Sequence, residues 1–562
     1  MVGRFQPREE GGAIDDAAPA GKGGLARARR VARWAREEAE AGMDRLISPQ
    51  FEQFERAVRL SFDGQPSQMR SEAMASLEQL KQADGGWNFC LRAFEACSDD
   101  QARFWCLQAV VGVVQSRYDS LDEPQKQSLR GMLLAWLQSK GEDQQDEPVF
   151  IKNKFAQLLV AVIAHDYPTQ WPQVFPQLLG MLPRGAFFID IFLRTLHAIH
   201  DDIVCREGGG YNSEVANRVK DGMRENCLPQ IADAWYSILQ LQYSAPSLCA
   251  MCLNTLAQYI NWIDISLVAN ERFMRLLVPF MHTSALHDGA CACLTEIVTK
   301  RMDASLKLEH LARLQVARPL SHPPAPPFRT FDLLGCAVLS LPSSLHASVL
   351  SQMIDLLSDA ASSWSSMSVK FSTLVSGLAL EILDCWDRLG SRNALSAEVR
   401  TQASQAVEGV VRTMPLLLNC LASSDIEVSL CTMGFLHSYV GRLRKLASSP
   451  KELEAHEPHL RNLLVSTSGA LCTLVLANKS VYPENFNFEE EEEDEKAFLD
   501  FRREISTLFK GVSRVNLGLA QEFVRSTLQS TLAPSDRVPW MHLEVALWLL
   551  YTLGEGLPDT VS

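Results

Sequence analysis

The reading of the fold rests on residues 150–172, Phe150-Ile-Lys-Asn-Lys-Phe-Ala-Gln-Leu-Leu-Val-Ala-Val-Ile-Ala-His-Asp-Tyr-Pro-Thr-Gln-Trp-Pro172. At about 100° per residue, Ile151, Phe155, Leu158, Leu159, Val162 and Ile163 fall on one stripe of a helix, with Lys152 and Lys154 on its flanks. Pro168 and Pro172 then stop that helix and start the next, and Trp171 between them is expected to plug the core between neighbouring helices. One face of such a helix is buried and the other is available to solvent.

The same pattern extends outward from Phe51: apolar residues recur at offsets of three and four, with breaks at Gly, Pro or Asp clusters and no strand-like alternation. Helix starts near Trp87, Leu129 and Trp171 lie about 42 residues apart, each followed by a second helix near Arg103, Val149 and Phe187. That period predicts an all-α chain, an α-solenoid of HEAT-type helical hairpins of the ARM/HEAT superhelix kind. A single hairpin cannot cover its own apolar stripe, so neighbours stack into one continuous core.

Composition supports this. The chain has 562 residues, 47% of them hydrophobic, enough for several domains or one long repeat stack. No run of roughly eighteen apolar residues is free of charged or polar breaks, so no membrane insertion is expected. The fourteen cysteines sit in apolar helical stretches such as Phe89-Cys90-Leu91 and Trp105-Cys106-Leu107, which reads as a reducing compartment. A formal charge of −14 and a pI near 5.4 argue against non-specific adhesion to nucleic acid, so any RNA partner must meet a local basic surface.

Several segments depart from the helical pattern. Residues 1–45 read as a disordered extension: up to residue 42 they are rich in Gly, Ala and Arg, with seven acidic against eight basic residues, too acidic for an organelle transit peptide. Met43 opens the amphipathic pattern that follows, and an alternative start there is plausible. Arg318-Pro-Leu-Ser-His-Pro-Pro-Ala-Pro-Pro-Phe328 cannot be helical and is expected as a Pro-rich loop over 318–335. Within 481–497, the seven consecutive acids Glu489, Glu490, Glu491, Glu492, Glu493, Asp494 and Glu495 repel one another and predict an exposed acidic loop. Helical repeats are expected over 46–205, 206–317, 336–480 and 498–562.

No catalytic constellation emerges. Walker loop, nucleophile elbow, dinucleotide fingerprint and kinase signature are missing from the chain. Cys249-Ala-Met-Cys252 and Cys291-Ala-Cys293 have ligand-like spacing but lie in apolar helical patterns without the turns that ligand knuckles require, and they read as core thiols. The twelve histidines form no metal pair beside a conspicuous acid. The chain reads as a binding protein with no metal or cofactor of its own.

The Phe150–Leu158 helix followed by Asp166-Tyr-Pro-Thr-Gln-Trp-Pro172 resembles an N-terminal signature of exportins in the importin-β superfamily. Tyr482-Pro-Glu-Asn-Phe-Asn-Phe488 with its acidic run, Phe498-Leu-Asp-Phe-Arg-Arg503, Glu544–Glu555 and Leu46–Phe62 are more narrowly similar to the tRNA-exporting branch. The resemblance spans roughly residues 46–562 and departs from the family pattern over about 301–340. It implies a monomeric receptor that shuttles between nucleus and cytoplasm, binds tRNA cooperatively with RanGTP, leaves GTP hydrolysis to Ran, and passes the pore by holding Phe-Gly nucleoporins. It places Ran against Lys152, Asn153, Lys154 and Gln157, with Arg103 and Gln108 from the preceding helix, and brings the acidic run to a basic patch on Ran. For tRNA phosphates the basic candidates are Arg272, Arg275, Lys300, Arg301 and Lys307. The family's chains are far longer, so repeats that grip tRNA are expected to be missing, leaving an open apolar face near residue 562. Two other readings remain: another karyopherin with protein cargo, and a HEAT scaffold that binds no GTPase.

Overall fold

The computed structural model describes residues 49–556 apart from 63–67, 142–146, 206–209, 305, 309–356, 359–360, 362–367, 391–396, 449–478, 484–485, 487–492 and 533–538. The described residues fold into α-helices joined by short turns, without a strand, and form two compact units, Met1–Leu228 and Pro229–Ser562. The N-terminal extension, the Pro-rich loop and the first four acids of the acidic run lie outside the described residues.

The first unit is a run of hairpins: α1 (Pro49–Ser61), α2 (Gln68–Gln82), α3 (Gly86–Ala96), α4 (Asp100–Arg117), α5 (Glu123–Ser139), α6 (Val149–Asp166), α7 (Val174–Met181), α8 (Ala186–Ile199) and α9 (Ser213–Asn226). Helices α4, α6 and α8 lie side by side as one layer, with α3 and α5 forming a second layer against them. Local chemistry sets the starts. The Asp99 carboxylate caps α4 by accepting from the backbone N–H groups of Gln101 and Ala102 at 2.8 and 3.1 Å. Asp122 and Gln125 form a capping box on α5, with proline in its first turn. Helix α5 therefore starts at Glu123 and not near Leu129, as the hydrophobic period suggests; the Asp-Glu-Pro-Gln start signal precedes the first core residue.

Between the layers, Trp136 packs on Phe155 at 4.3 Å between ring centroids and on Phe94 at 5.0 Å, tying α3, α5 and α6 together. Trp171 is buried, as the turn chemistry predicts, and its Nε1–H donates to Gln177 at 3.2 Å. At the C-terminal end of α6, Asp166 accepts from the Tyr118 hydroxyl and pairs with Arg130 at 2.6 Å, while Arg130 also reaches Glu123 at 2.5 Å. This buried chain links the ends of α4, α5 and α6. The Tyr167-Pro168 turn seats α9: the Tyr167 hydroxyl donates to the Gly222 carbonyl at 2.8 Å, and a Cβ on Gly222 would stand 2.9 Å from the Tyr167 ring.

The second unit begins within α10 (Leu228–Leu239) and continues through α11 (Pro246–Ile260), α12 (Glu271–Phe280), α13 (His287–Thr299), α14 (Val369–Gly390), α15 (Ala397–Leu421), α16 (Ile426–Leu430), α17 (Met433–Ser448), α18 (Glu493–Val515), α19 (Leu517–Leu532) and α20 (Trp540–Gly556). Here α11, α13, α14, α17, α18 and α20 pack in succession, with α12, α15 and α19 laid against them. Each unit is a stack of HEAT-type hairpins. The cysteine pairs lie in this core as donors to backbone: the Cys249 thiol to Ile238 at 3.2 Å and that of Cys293 to Leu253 at 3.1 Å. Among the described residues no helix is long and apolar enough to cross a membrane.

One expectation is corrected here. Glu493, Asp494 and Glu495 are not loop; they form the first turn of α18. The unpaired N–H groups of a helix start carry partial positive charge, so an acidic run is stabilised there even though its members repel one another.

Candidate functional site

The solvent side of α6 is narrow. Phe150, Asn153, Lys154 and Gln157, at offsets of three, four and seven, are exposed or half-buried there; apart from Val149 at the helix start and His165 near its end, the other residues of the helix are covered. The corresponding sides of its neighbours carry Phe104 and Gln108 on α4, and Arg194 and His197 on α8. Stacking of α4, α6 and α8 sets these three short rows beside one another as one strip.

Within the strip the polar groups are mutually held. Arg194 donates to the Asn153 side chain at 2.5 Å, and Lys154 donates to Gln157 at 2.7 Å. The Lys154 ammonium also lies 5.3 Å from the centre of the Phe104 ring, which meets Phe150 edge-on at 5.8 Å. Burial lowers the Lys154 pKa from its ordinary value, opposed by the charge of Asp202. Burial raises the Asp202 carboxyl in turn, helped by Asp201 and opposed by a hydrogen bond from Gln157 and by Lys154. A half-buried cation with a nearby aromatic pair and amides on either side can dock a protein surface carrying carboxylates and apolar groups.

Two of the sequence candidates have another role. Lys152 does not reach solvent: it is 4% exposed and pairs with Asp190 at 2.6 Å in the α6–α8 interface. Arg194 pairs with the other oxygen of Asp190 at 2.8 Å. Periodicity placed Lys152 on a flank, but α8 covers that flank and supplies the counter-charge. Arg103 is likewise inside a network, reaching Glu147 at 2.8 Å and Asp100 at 3.1 Å, with its guanidinium over the Phe94 ring. Lys140 meets Glu147 at 2.5 Å. Burial is the largest single influence on Glu147 and raises its pKa, but bonds and charges from Lys140 and Arg103 together outweigh it and hold the carboxyl below its usual value. Gln108 is exposed.

The basic candidates do not form a patch. The Lys300 ammonium caps the end of α11, donating to the carbonyls of Ile260, Asn261 and Ile263 at 2.6, 2.9 and 2.7 Å. Lys307 is 1% exposed, donating to the Val298 carbonyl at 2.6 Å and pairing with Glu381 at 3.0 Å. Neither can meet a phosphate without abandoning these partners. Arg272 pairs with Asp233 at 2.6 Å over the Tyr236 ring, Arg275 pairs with Glu271, and Arg301 is exposed. Asp190, Arg194 and Asp202 were not singled out from the sequence; the Asp190/Arg194 spacing of four on one helix face was the available signal.

Comparison with known proteins agrees with this architecture. The family model described as "Exportin 1-like protein" matches residues 148–294, which include the α6 and α8 rows, and the model "Exportin-T" matches residues 397–561. "Exportin-T" of Mus musculus is 31% identical over 501 residues, covering 88% of this chain and 46% of the relative. "Exportin-T" of Arabidopsis thaliana is 28% identical over 522 residues, covering 90% and 48%. Among solved structures, "Importin13 cytosolic state" superposes with a TM-score of 0.53 at 13% identity over 81% of this chain and 47% of that one, a likeness of fold alone. The chain thus spans somewhat less than half the length of the curated relatives it matches. Matches thus run through both units, and the chain is similar to exportin-T along most of its length.

Proposed function

We propose that the chain serves as a nuclear export receptor that binds tRNA together with RanGTP and moves between nucleus and cytoplasm by contacting Phe-Gly nucleoporins. The similarity to exportin-T along most of the chain carries this reading. The receptor acts by binding; GTP and its hydrolysis belong to Ran. Ran is assigned to the strip formed by Gln108, Asn153, Lys154 and Gln157 with Phe104 and Phe150, while Lys152 and Arg103 position it from beneath. Cooperativity follows if Ran and tRNA favour the same arrangement of hairpins, because each then raises the affinity of the other by the same factor.

The tRNA part of the reading is the more demanding. A net charge of −14 opposes polyanion binding, and of the five basic candidates Lys300 and Lys307 are committed to backbone and carboxylate partners. Arg272, Arg275 and Arg301 remain as phosphate contacts, too few for tight association. This chain is therefore expected to bind Ran more readily than tRNA. Filter binding of labelled tRNA, with Ran in each nucleotide state and with this chain or a version extended to the relatives' length, tests it: tRNA retention is expected only with GTP-loaded Ran, and more strongly for the longer version. Equal retention without Ran would overturn the reading, and selective capture of a protein cargo in its place would favour a karyopherin of another cargo class.

A further inference from the structure

We propose that Lys154 is a modification site, acylated by short-chain thioesters, and that loss of its charge to the acyl group switches off the α4/α6/α8 strip. The switch rests on the Ran reading; the acylation does not. Lys154 is presented differently from the other lysines around it. Lys81, Lys140, Lys152, Lys307 and Lys510 each meet a carboxylate in an ion pair, and Lys300 is spent on three carbonyls. Lys154 instead donates to the side-chain oxygen of Gln157 at 2.7 Å and lies 5.3 Å from the centre of the Phe104 ring. Gln157 is itself held, because its amide donates to Asp202 in the turn His200–Val204 that follows α8. The nitrogen is thus fixed by a neutral acceptor and reached from the solvent side of the strip, beside Phe150, which is 46% exposed.

That setting favours attack on a carbonyl. An amine attacks a thioester only in its neutral form, and an exposed lysine at its ordinary value is almost entirely ammonium near neutral pH. Burial lowers the Lys154 value, opposed by the charge of Asp202, so more of it is neutral at the same pH. The ammonium gives one proton to water, the nitrogen attacks the thioester carbonyl carbon, and the C–N bond forms as the C–S bond breaks. The departing thiolate takes the second proton from nitrogen, so a lysine ammonium and a thioester become an amide, a thiol and a free proton. The product fits where it forms. Its amide N–H still donates to Gln157, and a short alkyl chain has Phe104 and Phe150 to lie against. An acyl group bearing a carboxylate would stand near Asp202 and is disfavoured. Burial alone is not enough, as Lys479 illustrates: its value is lowered too, but its nitrogen is engaged by the Ser423 carbonyl and by the Ser429 hydroxyl at 3.3 Å.

Incubation of the whole chain with acetyl coenzyme A near neutral pH, with occupancy followed at each lysine by peptide mass spectrometry, tests the site. Lys154 should acetylate at least ~5-fold faster than Lys479 and than the exposed Lys370 and Lys496. Asp202→Asn removes the charge that holds the Lys154 value up, so it should speed Lys154 at least ~2-fold and leave Lys370 unmoved. Accessibility by itself would not respond to that substitution. The switch is tested by titrating GTP-loaded Ran into the chain with Lys154 acetylated, whose affinity should be at least ~10-fold weaker than that of the unmodified chain. Acetylation of Lys154 no faster than that of the exposed lysines, or a rate unmoved by Asp202→Asn, would overturn the site. Affinity unchanged by acetylation, in a chain that binds Ran, would overturn the switch. Rapid acetylation of Lys154 in a chain that ignores Ran would uphold the site and refute the Ran reading instead.

Discussion

Lys152→Met separates a structural lysine from a contact lysine. In the native unit its ammonium sits 2.6 Å from Asp190 with both side chains nearly covered, so removing it leaves a buried carboxylate with one counter-charge, Arg194, at 2.8 Å. Breaking a buried pair outright costs about 3–5 kcal/mol. The surviving Arg194 pair and the methionine's retained stem packing reduce this to about 2–3 kcal/mol. For a unit of this size the melting transition should fall by about 4–12 °C. Calorimetry on the whole chain, with hydrogen exchange at α6 and α8 to place the loss, measures it, and Asp190→Leu added to Lys152→Met should restore part of it because the stranded charge is gone. Lys154→Met, two residues away and half exposed, should cost under ~0.5 kcal/mol. The reasoning is refuted if Lys152→Met leaves the melting temperature unchanged while abolishing a partner's binding, because Lys152 would then be a contact residue.

Other consequences follow from the same geometry. Gly222→Ala drives a methyl into the Tyr167-Pro168 turn, where 2.9–3.1 Å separates the sites, and should cost about 1–3 kcal/mol by calorimetry with exchange rising first in α9. Arg502→Met strands Glu544 and removes the guanidinium from between the Tyr482 and Trp548 rings, 4.3 and 4.9 Å from it, so exchange should accelerate in the middle of α18 and across the first turns of α20. The folded Glu147 carboxyl lies below its ordinary value of 4.5, so its network stabilises above that range and the contribution is lost as pH falls through the folded value. Glu147→Gln should flatten this acid-side slope in pH-dependent melting. Asp202 has the opposite sign: burial raises its folded pKa, so the ionised form is a burden at neutral pH that disappears on acidification. Asp202→Asn should stabilise the protein at pH 7, with no gain below the ordinary aspartate range.

The hairpin architecture was legible because apolar spacing of three and four survives in nearly every element, and because Pro168, Trp171 and Pro172 punctuate it. Starts were less so: α5 begins where Asp122 and Gln125 cap it, a signal that operates on backbone donors ahead of the first core residue. Site chemistry was least legible. A single helix's periodicity shows which flank a lysine occupies but not which neighbour covers that flank, so Lys152, buried against Asp190, and Lys154, held at the strip, looked alike. The same limit applies to Lys300 and Lys307, whose carbonyl and carboxylate partners lie tens of residues away for the most part. Glu493, Asp494 and Glu495 were read as loop from charge repulsion alone, whereas the dipole of α18 accommodates them.

The central claim, that the α4/α6/α8 strip receives a nucleotide-loaded GTPase, is tested most directly by calorimetric titration of the whole chain with Ran in its GTP and GDP forms, using wild type and Lys154→Glu. The account predicts binding to the GTP form at least tenfold tighter than to the GDP form, and its loss in the variant, whose helical spectrum is kept and whose melting temperature falls only slightly because the new carboxylate stands near Asp202. Equal affinity for the two forms, or binding untouched by Lys154→Glu, would contradict it.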